Sequence, residues 1–359
     1  MHTPRARIPW VDTLKGVAII MVVVQHLASR FDAELNPDGR GVWTVFSQFF
    51  IPLRMPLFFF LSGLVVAHAV TRGGPALRKR VLGPLYLYAL WTTLFAARLV
   101  PAEAVGLIED LHLGDFLTSL LLPTTFWYIY ALAAYFTVCW VVARFGPIVR
   151  ATVGVLALGL SFATAFFPEV GRDLVEHPWS LPQIPTMAAN FVWFYAGVFG
   201  RDTWLRVAGH PRPGLAAALV GAYAAAYLAA QATGAGTVLE PVLSGIGLLA
   251  LALVCERIPT GRTTRLLSHI GRNTLPVYLL HVVFISVAFE VITRTPAAAL
   301  YAGNPGWLSL VSVPVFTALF IVGALLAGDL IRRSPLRFLL DPPAWVVGRN
   351  TRTPTHAAR

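Results

Sequence analysis

Lys15 and His26 stand in one apolar stretch, Asp12-Thr13-Leu14-Lys15-Gly16-Val17-Ala18-Ile19-Ile20-Met21-Val22-Val23-Val24-Gln25-His26, with ten residues between them. Eleven helical steps of about 100° return to nearly the same face, and the rise separates the two groups by roughly 16 Å, about half a hydrocarbon core. A helix over this stretch carries a cation near one membrane surface and a titratable imidazole deeper in. Ionisable groups are costly in lipid, so they face a polar cavity, a pathway or an active site, or they are satisfied by a neighbouring helix. Both outcomes stand open for His26. Lys15 lies near enough to the start of the stretch for its stem to snorkel to the surface instead. Asp12, three residues earlier, is placed to pair with Lys15 and to favour the helix N-terminus, a task of orientation.

The second apolar stretch holds another cation, in Phe49-Phe50-Ile51-Pro52-Leu53-Arg54-Met55-Pro56-Leu57-Phe58-Phe59-Phe60-Leu61-Ser62-Gly63. Two prolines four apart kink a helix and free backbone carbonyls at the depth of Arg54. The guanidinium then either lines a cavity wall or caps those carbonyls. Ser62 and Gly63 suit a packing notch between helices as well as a site. His281, near the middle of a later apolar stretch, poses the same choice as His26.

The elements that must position these residues are membrane helices. The chain is 57% hydrophobic and 13% charged, against about 25% charged in soluble domains, which indicates an all-α polytopic bundle. Apolar stretches fall near 11–29, 43–70, 82–100, 124–143, 148–167, 186–200, 214–232, 238–255, 274–292 and 307–331. These predict about ten spans, the sixth being short and residues 105–122 reading as an extra interfacial helix. A cleavable signal peptide, with Arg5, Arg7 and Lys15 as its basic region, competes for the first stretch. Gln25-His26-Leu27-Ala28 lacks the small-x-small cleavage pattern that such a peptide needs.

Loop charges test the count independently, because cytoplasmic loops are enriched in Lys and Arg. With the N-terminus inside, the inner segments hold 21 of the 28 basic residues. The outer loops hold only Arg30, Arg40, Arg98, Arg172 and Arg294, against twelve acidic residues. The net charge of +11 is therefore a topology signal and not a nucleic-acid footprint, although the inner surface also attracts anionic lipid or a phosphorylated ligand. Both termini are expected in the cytoplasm, with 1–332 as one membrane domain and 333–359 as a basic, solvated tail. The small residues of 214–232 suit close helix packing, a scaffold role. Cys139 and Cys255 are isolated from each other and from any zinc spacing, and HExxH, P-loop and GxGxxG motifs are missing. No metal site is expected. Arg outnumbers Lys 26 to 2, which suits a GC-rich bacterial source and a multi-pass protein of the bacterial cytoplasmic membrane.

Five motifs then recur in order: Lys15-x10-His26, Met55-Pro56-Leu57-Phe58-Phe59-Phe60-Leu61-Ser62-Gly63, Arg80 to Pro84, Phe126-Trp127-Tyr128, and Ile270-Gly271-Arg272-Asn273-Thr274-Leu275-Pro276-Val277-Tyr278-Leu279-Leu280-His281. Together they resemble the acyltransferase 3 family over nearly the whole chain. Within it the chain is most similar to the fucose 4-O-acetylase-like branch, whose first helix often reads Asp-x-x-Lys-Gly. The resemblance implies an integral-membrane O-acyltransferase of about ten helices. Such an enzyme takes an acyl group, usually acetyl, from cytoplasmic acyl-CoA and passes it to a hydroxyl of a cell-envelope glycan or lipid-linked sugar. It places the family's essential histidine on His26, its helix-one cation on Lys15, its basic motif on Arg80, its aromatic pair on Trp127 and Tyr128, and its late histidine on His281. Three positions depart from the pattern. Lys15 replaces the wider family's arginine, a point charge for a bidentate fork. Gly83 stands where the second basic residue of Arg-x-x-Arg falls, and Arg54 where a histidine often precedes Met-Pro.

Acyl transfer from a thioester to a sugar hydroxyl needs a base for the hydroxyl proton and donors for the developing oxyanion. Imidazole, with an unperturbed pKa of about 6.5, suits the first task. His26 is expected to act as general base or to carry the acyl group on its ring. Arg54 and His281 are expected to face the same cavity and stabilise charge. Arg78, Lys79 and Arg80 either hold the phosphates of CoA, with Lys15 further in, or are a plain positive-inside loop. Trp127 and Tyr128 are a stacking platform for a sugar, with Ser62 nearby, or an interfacial belt. The depth order Arg80, Lys15, His26 brings the donor from inside and the acceptor from the outer half. A secondary transporter or flippase of a polar or glycolipid solute is the other class that fits ten basic-inside helices with broken segments, though no inverted repeat relates the two halves.

Overall fold

The computed structural model describes residues 8–36, 40–72, 75–97, 113–167, 183–236, 238–303 and 305–348. Arg5, Arg7, Arg98, Arg172, the first part of the expected interfacial helix and the end of the tail lie outside the described residues. Among the described residues the regular elements are all helical: α1 (Pro9–Leu35), α2 (Val42–Phe49), α3 (Ile51–Arg72), α4 (Pro75–Ala97), α5 (Leu113–Leu121), α6 (Trp127–Val142), α7 (Pro147–Phe166) and α8 (Ile184–Phe199), then α9 (Arg201–Ala208), α10 (Pro213–Thr233), α11 (Glu240–Ala252), α12 (Arg262–Arg272), α13 (Thr274–Thr293), α14 (Ala297–Gly303), α15 (Pro305–Arg333) and α16 (Ala344–Val347). Proline is the first or second residue of eight of them, α1, α3, α4, α7, α8, α10, α11 and α15. In the first turn its preset φ suits the helix and its missing N–H has no partner to lose.

Each of the ten apolar stretches holds a helix of this set. Six are long and apolar enough to cross a membrane, α1, α3, α7, α10, α13 and α15, and α6, α8 and α11 are shorter apolar helices. The second stretch differs from its expected form. Instead of one kinked helix it breaks at Phe50 into α2 and α3. Pro52 thereby falls in the first turn of α3, where it is harmless, and only Pro56 is interior. Having no N–H, Pro56 cannot bond the Pro52 carbonyl four residues back. The Ser244 hydroxyl, from α11, donates to that carbonyl instead.

Two pairs of glycines set the closest helix contacts. A β-carbon on Gly16 would strike the Leu267 carbonyl, and one on Gly271 the Asp12 carbonyl, so α1 and α12 approach backbone to backbone. Gly63 and Gly197 do the same for α3 and α8, against the carbonyls of Phe194 and Phe60. Small residues permit such contact where apolar burial against lipid gives no drive. Gly63 is thus the packing notch of its motif.

Two segments outside the apolar stretches pack on the bundle in ways the pattern did not indicate. The basic segment after Cys255 contains α12, whose Arg262, Arg265 and Arg272 are exposed while Ile270 and Gly271 are buried. Thr13 and Ser268 hydroxyls join it to α1 at 2.8 Å. The described part of the expected solvated tail, 333–348, instead packs on the bundle. Leu340 and Val346 are buried, and Trp91 Nε1 donates to the Leu339 carbonyl at 2.7 Å. Apolar residues hidden among its charges drive this docking.

Gly63→Val should lower the melting midpoint of the detergent-purified protein by about 5 °C, because backbone cannot retreat from the added side chain. Gly159→Ala, with nothing within 4 Å of its position, should leave the midpoint unchanged in the same thermal scan.

Candidate active site

The His26 ring is held by its own helix. Its Nδ1 lies 2.8 Å from the Val22 carbonyl, and a carbonyl oxygen only accepts, so the neutral ring carries its proton on Nδ1 and keeps the Nε2 lone pair. His281 repeats the arrangement on α13, with Nδ1 donating to the Val277 carbonyl at 3.0 Å. The two rings meet edge to face, 5.2 Å between centroids at 81°. They differ in access. His26 is exposed even though Val22, Val23, Leu27 and Ala28 around it on α1 are buried, whereas His281 is 1% exposed and its Nε2 is unpartnered.

The surface of His26 faces cavities. One, of about 420 Å³, is lined by His26, Arg54, Trp127, Asn190, Glu240 and Ser244 among others. A second, of about 570 Å³, holds Lys15, Ser62, Lys79, Arg80, Tyr128 and Tyr278. Between them lies a space of about 40 Å³ bounded by His26, His281, Phe58, Trp127, Tyr128 and Tyr278. Phe58, Tyr128 and Tyr278 belong to both the cationic cavity and this neck. His26, Met55 and Trp127 belong to both the neck and the first cavity. The three spaces therefore follow one another along the face of α1 that carries Lys15 and His26.

Ser62 proves to be a support for Tyr128. Its hydroxyl donates to the Phe58 carbonyl at 2.8 Å and, having one proton, must accept from the Tyr128 hydroxyl at 2.8 Å. Tyr128 is packed between Phe58 and Phe59, each 4.8 Å away by centroid, so it is a wall of the neck, not a belt residue. Arg54 lies within electrostatic range of His26, and its Nε and Nη1 are buried without partners. It does not cap the proline-freed carbonyl, which Ser244 serves. Arg78 parts company with the other basic residues: its Nε and Nη2 donate to the carbonyls of Val346 and Trp345, both at 2.8 Å, pinning α16 to α4. Lys79 and Arg80, by contrast, line the cationic cavity.

Three site residues were not singled out from the sequence. Asn190 is a buried amide on α8 whose Nδ2 donates to the Thr186 carbonyl at 2.8 Å and whose Oδ1 is unpartnered. As an amide inside an apolar stretch it was discoverable. Glu240, the first residue of α11, lines the cavity shared by His26 and Arg54. Tyr278 looks like an ordinary packing aromatic, yet its hydroxyl is buried with no acceptor for its proton. Among the described residues no group of three or more His, Cys, Asp or Glu is gathered as metal ligands would be.

A cysteine in place of His26 should react readily with a small, water-soluble thiol reagent, and one in place of His281 should not. The native Cys139 and Cys255 are both buried and give a low background. Equal labelling at the two positions would contradict the cavity geometry.

Residues 8–330 match the acyltransferase 3 family, described as an acyltransferase domain. The chain is similar to the inner membrane protein YcfT of Escherichia coli strain K12, at 27% identity over 365 aligned residues that cover 93% of this chain and 96% of that protein. No solved structure was found to match. The neck, the paired histidines and the apolar helices thus belong to a membrane protein of the acyltransferase 3 family.

Proposed function

We propose that this protein is an O-acyltransferase of the bacterial inner membrane that moves an acetyl group from cytoplasmic acyl-CoA to a hydroxyl of a cell-envelope glycan or lipid-linked sugar. The observation that carries the reading is the His26 imidazole, with Nδ1–H held by the Val22 carbonyl and Nε2 presented to a cavity. That is the tautomer a general base needs. The sugar acceptor rests on the likeness of Asp12 to Gly16 to the fucose 4-O-acetylase-like branch. Ten spans with both termini in the cytoplasm follow from the charge asymmetry of the loops.

In this arrangement acyl-CoA enters the cationic cavity, where Lys79, Arg80 and Lys15 neutralise its phosphates. Its thioester reaches the neck. The acceptor occupies the cavity on the other side, beside Trp127, Asn190 and Glu240, with Arg54 lending positive potential. His26 Nε2 takes the hydroxyl proton as the oxygen attacks the thioester carbon, and returns it to the departing thiolate. Having spent its Nδ1 proton on Val277, neutral His281 orients the His26 ring edge to face and does not stabilise an oxyanion.

Purified protein with labelled acetyl-CoA and a panel of nitrophenyl glycosides and envelope glycolipids tests this. His26→Ala should lower transfer by at least about 10²-fold, while Lys79→Ala and Arg80→Ala should raise the KM for acetyl-CoA with kcat nearly unchanged. Transfer that survives His26→Ala removes the base assignment, and movement of a solute without any transfer favours a transporter.

A further inference from the structure

Of the two tyrosines in the neck, one has a full account and the other does not. The Tyr128 hydroxyl donates to Ser62. The Tyr278 hydroxyl is buried with no acceptor for its proton. Interiors leave few polar protons without an acceptor, and one left so beside two cavities calls for a partner that comes and goes. Tyr278 lines both the cationic cavity and the neck. Its ring stands 5.4 Å from that of Tyr128 and 6.0 Å from that of His281, and His281 in turn touches His26. The Tyr278 ring therefore walls both spaces and stands beside the His26–His281 pair.

A group there has a specific task. The thioester carbonyl gains negative charge when the acceptor oxygen attacks, and a donor already aimed at that oxygen, in a site closed to water, stabilises it without reorganising. His281 cannot serve, because its neutral ring has given its only N–H to Val277. Arg54 lines the cavity on the other side of the neck and not the neck itself.

Resting on the acyltransferase reading above, we propose that Tyr278 is a catalytic residue that donates its O–H to the thioester carbonyl oxygen. As the acceptor oxygen forms its bond to the carbonyl carbon, His26 Nε2 takes the hydroxyl proton and the carbonyl π pair moves to oxygen, held by Tyr278. When the pair returns, the carbon–sulfur bond breaks and the thiolate leaves with the proton from His26. Tyr278 keeps its own proton throughout.

Tyr278→Phe removes the donor and keeps the ring, so the full-length protein in detergent should lose about 100-fold in kcat. Its KM and Kd for acetyl-CoA should stay within about twofold. 3-Fluorotyrosine installed at position 278 supplies a second measurement, since its phenol is the stronger donor while its packing is almost the same. A changed kcat with unchanged acetyl-CoA affinity supports the assignment, and a kcat identical to that of the tyrosine enzyme overturns it. A Tyr278→Phe enzyme within threefold of the parent kcat also overturns it. If that occurs while His26→Ala is inactive in parallel, the acyltransferase reading stands and only the role of Tyr278 fails. If the parent protein transfers acetyl to nothing in the panel and carries a solute instead, both fail together.

Discussion

Every backbone carbonyl in the apolar interior must find a donor from within the protein, and the architecture around Arg54 follows from that demand. Each interior proline removes one N–H and strands the carbonyl four residues back. Pro56 strands Pro52, and Ser244 of α11 supplies the donor. Pro314, inside α15, strands Leu310, and Trp43 Nε1 of α2 supplies it at 2.9 Å. These two defects thereby become polar links between helices. The prolines that prevent α2, α3 and α15 from being plain rods are what tie them to their neighbours. Arg54, freed from any capping duty, keeps its charge for the cavity it lines.

The same economy fixes the histidines. A carbonyl has two acceptor sites, so Val22 and Val277 can receive a helical N–H and an imidazole N–H at once. His26 and His281 are each hydrogen-bonded within their own helix, and each keeps its Nε2 lone pair out of that bond. A histidine satisfied through Nδ1 in this way is both structurally quiet and chemically available. The alternatives posed by the sequence, a satisfied core imidazole or a working one, are therefore not exclusive. Access separates the two rings: His26 opens on a cavity, and His281 is closed.

Much of this was legible from residues that do not belong in lipid. Lys15, His26, Arg54, Trp127, Tyr128 and His281 stood out by type within apolar stretches, and all six line the connected spaces. What escaped notice depends on neighbours distant in sequence. That Ser244 of α11 offers a hydroxyl to the Pro52 carbonyl is such a fact. The helix α12 is too short and too basic for a search tuned to membrane spans, and it is recognisable only by the glycines that press it onto α1. Charge counting placed Arg78 with Lys79 and Arg80, yet one helical step turns it toward the carbonyls of α16. Tyr278 was invisible for a related reason, since a tyrosine in an apolar run is usually a packing residue and its orphaned hydroxyl is a tertiary fact.

The neck itself argues about the kind of process the molecule supports. A carrier must pass its whole solute from one side to the other, and a space of about 40 Å³, walled by the mutually packed rings of Phe58, Tyr128 and Tyr278, would have to open widely for a saccharide. A transferase has to bring only a carbonyl carbon, its oxygen and one attacking hydroxyl into that space. The larger parts of each reactant then stay in their own cavities, where charge and size suit them. The narrowness that obstructs transport is an advantage for transfer, because it keeps water from the thioester and strengthens each hydrogen bond made to the reacting atoms. On the proposed reading the wall of the bundle need never open, and the bond that is exchanged is the only thing that crosses it.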